Sequence, residues 1–308
     1  MRLYIEDFLR MHDKYDIRKV DLLKINSIEI LMNIINQAPT ISVRSFILSE
    51  EQKREGYPFI KQLASHMLYS FEYGIKTQVF EFIKALLDNE NTDKKVEFLD
   101  FFYKEVLSVF MAFLASVEDI PMDQVQLDDY HKAVEFNRSL ECARALVIQI
   151  LCKCVQEQSF RFRIFVVQSE VIEKVSSLAK LKSKVTNLWI VKFYKAIVKA
   201  KDDSFNMYLT KKKLLKTIVD IFLENPNKQN VLHSCVLELF DFLTTKDQNK
   251  KIASHLLETY SEVLFKAPKF VRLPEKRGPP FERALVHEKI ALGADFELDL
   301  GGLGAPGG

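Results

Sequence analysis

Phe162-Arg163-Ile164-Phe165-Val166-Val167, with Val171-Ile172, Val175 and Leu178 behind it, returns 43 residues later as Phe205-Asn206-Met207-Tyr208-Leu209-Thr210, with Leu214-Leu215, Ile218 and Ile221. The next segment returns as well: Trp189, Phe193, Ala196, Ile197 and Ala200 become Leu232, Val236, Leu239, Phe240 and Leu243. The apolar positions recur at helical spacing. A period in the low forties holding one short and two longer helices is the signature of an armadillo- or HEAT-like array. Such a unit cannot bury its apolar face alone and stacks on a neighbour. The reading is an all-α, right-handed helical solenoid with a long concave surface and no natural catalytic pocket. Its function is therefore expected to be binding.

Composition agrees with that reading. Hydrophobic residues make up 48% of the 308, with 24 Phe, enough for a continuous core. Gly and Pro number only 9 each, and several fall in the last 41 residues, so the body is poor in helix breakers. A net charge of +2 gives no global field for nucleic acid. The four Cys lie in amphipathic segments, and without a secretory signal they point to a reducing compartment. No apolar run approaches the length of a membrane span.

Along the chain, helices are expected over 1–17, 20–36, 42–48, 58–71, 75–87, 92–114 and about 130–156, ahead of the clear repeats. The segment Arg44-Ser45-Phe46-Ile47-Leu48-Ser49-Glu50 echoes Arg163 to Glu170 with one residue inserted, so the repeat reaches into the N-terminal half. Five to six units result. An acidic loop near 117–129 interrupts the array. Residues 1–267 read as one armadillo-like domain, and 268–308, rich in Pro and Gly, as a flexible tail in which 284–292 could form a short helix.

Catalytic chemistry finds little here. The six His are scattered, and none stands in an H-E-x-x-H frame. Cys152 and Cys154 point about 200° apart on a helix and cannot share a metal without unwinding. No catalytic residue, cofactor or metal ligand is assigned. The informative charge is local: between Lys174 and Lys216 stand twelve Lys and no Arg, against Asp202 and Asp203 alone. Lys192, Lys195 and Lys199 fall within about 60° on one helix, beside an apolar stripe of Trp189, Phe193, Ala196 and Ala200 that is expected to face the core. Lys211, Lys212, Lys213 and Lys216 follow on the next turn. These seven are the candidate partner-binding residues, an electropositive inner face for an acidic or phosphorylated segment. Solvated helix faces offer the plainer reading. Nucleic acid is disfavoured, because Arg and interleaved exposed aromatics are missing.

Two landmarks, in order, add a resemblance. One is Glu97-Phe98-Leu99-Asp100-Phe101-Phe102-Tyr103; the other runs from Tyr208-Leu209-Thr210-Lys211 through Leu223-Glu224-Asn225 to Asn230-Val231-Leu232-His233-Ser234-Cys235-Val236-Leu237-Glu238-Leu239-Phe240-Asp241-Phe242. Over roughly residues 18–266 the chain resembles the armadillo-like region of regulatory subunit 3 of protein phosphatase 4, the SMEK or Falafel family. The resemblance implies a non-catalytic targeting subunit of nucleus and cytoplasm. Its partners would be the phosphatase catalytic subunit, a second helical-repeat regulatory subunit and phosphoprotein substrates. It also implies an N-terminal EVH1/PH-like module. Since the chain starts within the array, it reads as a fragment, a truncated gene model or a divergent member. The competing expectation is an armadillo-type adaptor or transport scaffold with no phosphatase.

Overall fold

Each helix of the array has one apolar side, and the architecture follows from where that side is hidden. In a computed structural model, residues 59–264 are described apart from 89–94, 117–118, 123–128, 158, 225–229 and 246–249, together with helical positions 29, 30, 33, 44, 45 and 47–49. The tail expected at 268–308 and the helix expected at 1–17 lie outside the described residues. In chain order stand α1 (Phe59–Tyr69), α2 (Tyr73–Leu87), α3 (Lys95–Phe101), a π-helical turn (Phe102–Val106), α4 (Leu107–Ser116) and α5 (Tyr130–Glu157). Then come α6 (Ser159–Ser169), α7 (Val171–Ser177) with a 3₁₀ turn (Leu178–Leu181), α8 (Lys184–Lys199), α9 (Asp203–Lys211), α10 (Lys216–Leu223), α11 (Val231–Thr245) and α12 (Lys250–Leu264). The described residues contain no strand.

The 43-residue period is a structural period. α6, α7 and α8 make one three-helix unit, and α9, α10 and α11 make the next. Even the backbone repeats: Glu170 and Lys213, 43 apart, take left-handed φ values of 51° and 53° in the turn ahead of the second helix of each unit, Glu170 as its N-cap and Lys213 three residues before it. The third helices form a row in which α5 packs on α2, and α8 packs on both α5 and α11. α12 closes the far end against α9, α10 and α11.

α8 shows why the row forms. Ser183 caps it, its hydroxyl accepting the Thr186 N–H at 3.0 Å. Ile190, Val191, Phe193, Tyr194, Ala196, Ile197 and Val198 then disappear into the core. Phe162 of α6, fully buried, sits 6.3 Å from both the Phe193 and the Phe205 ring centroids and so joins one unit to the next. The loop after α4 is strapped down rather than loose where it is described. Asn137 of α5 accepts the Ile120 N–H at 2.8 Å and donates to the Ile120 carbonyl at 2.9 Å, while the buried Arg144 guanidinium holds Asp119 at 2.6 Å.

Two further buried cations finish helix ends. Arg44 donates to the Leu86 carbonyl from Nε (3.0 Å) and Nη2 (2.8 Å), and to Asp88 O at 2.9 Å, at the C-terminus of α2. Lys76 donates from Nζ to Met67 O (3.1 Å) and Leu68 O (2.8 Å), in the last turn of α1. Helix C-termini expose carbonyls without intrahelical partners and carry partial negative charge, so a cation belongs there.

Burial nevertheless lowers the Lys76 pKa from 10.5 to about 8, because apolar surroundings disfavour the ammonium. Between those values the unfolded chain holds a proton that the folded chain has released. Stability therefore rises with pH across that window, and the penalty is fully present below it. Lys76→Met removes this titration. The melting temperature of wild type minus that of Lys76→Met should shift toward wild type between about pH 7 and about pH 10; a flat or falling difference would refute the assignment. A second test concerns the core: Phe162→Ala should cost about 3–5 kcal/mol in urea unfolding. Phe160→Ala, at a position 65% exposed, should stay within about 0.5 kcal/mol of wild type, and equal losses would contradict the packing.

Candidate interaction surface

With one side of α8 in the core, its opposite flank faces solvent. Trp189 lies there half-buried, and the Lys192 ammonium sits 4.0 Å from the centroid of its ring. Lys195, its side chain 17% exposed, pairs with Glu238 of α11, and that bond holds the Glu238 carboxyl below its usual range. The Lys199 ammonium lies 5.7 Å from the Phe242 ring of α11. Cys152 of α5 feels the Lys192 charge, and Cys235 of α11 feels those of Lys195 and Lys192. The surface is thus a three-helix floor of α5, α8 and α11 carrying three ammoniums and two half-buried aromatics. Among the described residues neither Lys192 nor Lys199 pairs with a carboxylate. A lysine held over a ring keeps its charge available while its stem covers apolar surface.

The spacing placed Trp189 in the core; it is half-buried and packs against the core from its margin. The buried stripe of α8 runs through Ile190, Phe193, Tyr194 and Ile197, and Trp189 flanks it at the solvent edge. Spacing alone made Trp189, Phe193, Ala196 and Ala200 a plausible stripe; the positions of α5 and α11 decide which edge stays open.

The seven candidate lysines divide into two sets. Lys192, Lys195 and Lys199 share the α8 flank. Lys211, Lys212 and Lys213 stand exposed at the corner between α9 and α10, with Lys216 paired to Asp220 at 2.7 Å. Lys212 lies 3.6 Å from the Glu173 carboxylate of α7. That corner is held from behind by the fully buried Tyr194, whose hydroxyl donates to Leu214 O at 2.9 Å and sits 2.7 Å from Ser176 Oγ. Tyr194 points into the core on the side of α8 away from Lys192, so the two lysine sets line different surfaces.

The thiols on and below this floor are not poised for chemistry. Burial pushes both Cys152 and Cys154 up to about 12, and raises Cys235 and Cys142 as well. Among the described residues no group of three or more His, Cys, Asp or Glu could hold a metal ion, and no helix is long and apolar enough to cross a membrane.

Stacked three-helix units that turn one row of helices outward define a helical-repeat protein, a class that works through extended binding surfaces. The comparisons give the family: residues 4–273 match the model described as phosphatase 4 regulatory subunit 3, and the chain belongs to that family. Over 243 residues it is 28% identical to "Serine/threonine-protein phosphatase 4 regulatory subunit 3" of Drosophila melanogaster, covering 77% of this chain and 23% of that protein. It is 23% identical over 257 residues to "Suppressor of Mek1" of Dictyostelium discoideum, covering 78% and 23%. The chain thus spans about a quarter of the length of these relatives. No solved structure matches.

Thiol chemistry checks the burial assigned here. In the folded chain at neutral pH, Cys154 should not react with a disulfide-exchange reagent and Cys152 should react slowly, while all four Cys react in denaturant. Rapid labelling of Cys154 before unfolding would show that α5 is not buried as described.

Proposed function

We propose that this chain is the helical-repeat portion of a non-catalytic regulatory subunit that targets phosphatase 4 to its substrates. The family match across residues 4–273 carries this reading. In it, residues 1–267 form one right-handed armadillo-type solenoid and 268–308 a separate appended segment. The partners are the phosphatase catalytic subunit, a second helical-repeat subunit and phosphoproteins, met in nucleus and cytoplasm. The hydrolysis and its metals belong to the catalytic partner. The protein contributes proximity: it holds an acidic or phosphorylated segment near an active site on another chain, raising its local concentration.

Within that scheme the α8 flank is the acceptor for acidic segments. Its ammoniums steer encounter and add charge-assisted hydrogen bonds to carboxylate or phosphate oxygens. The corner of Lys211, Lys212, Lys213 and Lys216 is a second contact on another side. Tagged chain purified from cells should bring down metal-dependent serine/threonine phosphatase activity, and consistent absence of it would contradict the reading. Lys192→Glu, Lys195→Glu and Lys199→Glu together should leave that activity bound while weakening capture of acidic phosphoprotein, most strongly at low salt.

A further inference from the structure

Any segment seated on the α8 flank must satisfy two chemistries at once. It needs negative charge for Lys192, Lys195 and Lys199, and apolar side chains for the exposed edges of Trp189 and Phe242. The chain itself contains such a segment. Asp295-Phe296-Glu297-Leu298-Asp299-Leu300 alternates carboxylates with apolar residues and has no basic residue. It lies beyond the region that matches the family.

We propose that the segment 295–300 binds in cis across the α5–α8–α11 floor, as a tethered occupant that acidic partners must displace. This rests on the reading of the α8 flank as an acceptor for acidic segments, and goes further by naming what fills it when no partner is bound.

Three arguments converge on this occupant. The first is charge. Between Lys174 and Lys216 the sequence holds twelve Lys against two acids, and among the described residues Glu238 on α11 pairs with Lys195 while Lys192 and Lys199 pair with no carboxylate. The segment supplies carboxylates to Lys192 and Lys199, beside the pair that Lys195 already makes with Glu238. The second is dimension. Lys192 to Lys199 spans about 10 Å along a helix at 1.5 Å per residue. Asp295 to Asp299 spans about 13 Å in extended chain, within reach of flexible lysine stems. An extended segment turns its acids to one side, leaving Phe296 and Leu298 for the apolar surface beside them.

The third is reach. α12 ends at Leu264, 31 positions before Asp295, and packs on α11, which neighbours α8. Helix axes lie 8–10 Å apart, so the floor is about 20 Å from α12. Thirty-one residues of chain can span at most about 100 Å, so that distance is within reach. At an effective concentration of about 1 mM, a segment with an intrinsic Kd of about 0.1 mM would occupy the floor about nine-tenths of the time.

Trp189 reports this directly, because it is the only Trp in the chain and lies on the floor. The test compares acrylamide quenching of its fluorescence in the full chain and in the full-length triple variant Asp295→Asn, Glu297→Gln, Asp299→Asn. Those substitutions lie outside the array, so its folding is not at stake. The variant should quench about twofold more readily and emit further to the red, as the exposed ring regains water. A synthetic peptide of residues 293–301, added to the variant, should reverse both changes and should bind it about tenfold more tightly than it binds wild type. Equal quenching and equal peptide affinity in the two chains would overturn the cis occupant. If the peptide binds both equally well, the floor serves a partner in trans. If it binds neither, the reading of the α8 flank as an acceptor fails too, whatever the phosphatase pull-down shows.

Discussion

The apolar side of α8 can be hidden only by two neighbours at once, and the rest of the structure is built around that requirement. α5 and α11 supply the two walls, and the buried run from Ile190 to Val198 fills the space between them. Each large apolar side chain so buried contributes about 1.5–3 kcal/mol, more than any surface ion pair in the array. Phe162, set between Phe193 and Phe205, carries the same core across the boundary between units. No unit is complete alone. The exposed flank of α8 is a by-product of this packing: once Phe193 and Tyr194 point inward, Trp189, Lys192, Lys195 and Lys199 have one direction left.

Polar groups fix the register that burial leaves loose. Apolar surfaces slide against each other at little cost, but a guanidinium aimed at two carbonyls does not. Arg44 on the end of α2, Lys76 on the end of α1, and Tyr194 bridging Ser176 and Leu214 each tie one element to a particular turn of another. Such contacts are expensive when half made, because a buried donor without its acceptor keeps its desolvation penalty. They specify one arrangement among several of similar buried area. Asp202 does this at the boundary between units, capping α9 through the Ser204 N–H at 2.8 Å while pairing with Arg163 of α6 at 3.0 Å.

Much of the architecture was legible in the sequence because helical periodicity and the 43-residue period are local signals. The long helix read over about 130–156 is α5, Tyr130–Glu157. The helix read over 92–114 is described from Lys95 as α3 and α4, joined through a π turn at Phe102–Val106. One extra residue per turn leaves no mark in an apolar pattern. The site was legible only in part. Lys192, Lys195 and Lys199 share a face because one helix carries them, which a helical wheel can show. Their separation from Lys211, Lys212 and Lys213 depends on how α9 packs behind α8, which a wheel cannot show. The buried cations were missed for a related reason. A Lys or Arg inside a helix reads as solvated, and what draws Arg44 and Lys76 inward is a helix terminus contributed by another part of the chain. The echo between Arg44 and Arg163 was visible, but it did not reveal the carbonyls that Arg44 meets.

The central claim is that successive three-helix units share one core. A double-mutant cycle on Phe162 and Phe205, measured by urea unfolding, tests it most directly, since these side chains belong to adjacent units and touch. The account predicts that the double alanine variant departs from the sum of the single losses by at least about 0.5 kcal/mol. Losses that add to within about 0.3 kcal/mol would mean that each unit packs on its own, and would contradict the continuous core.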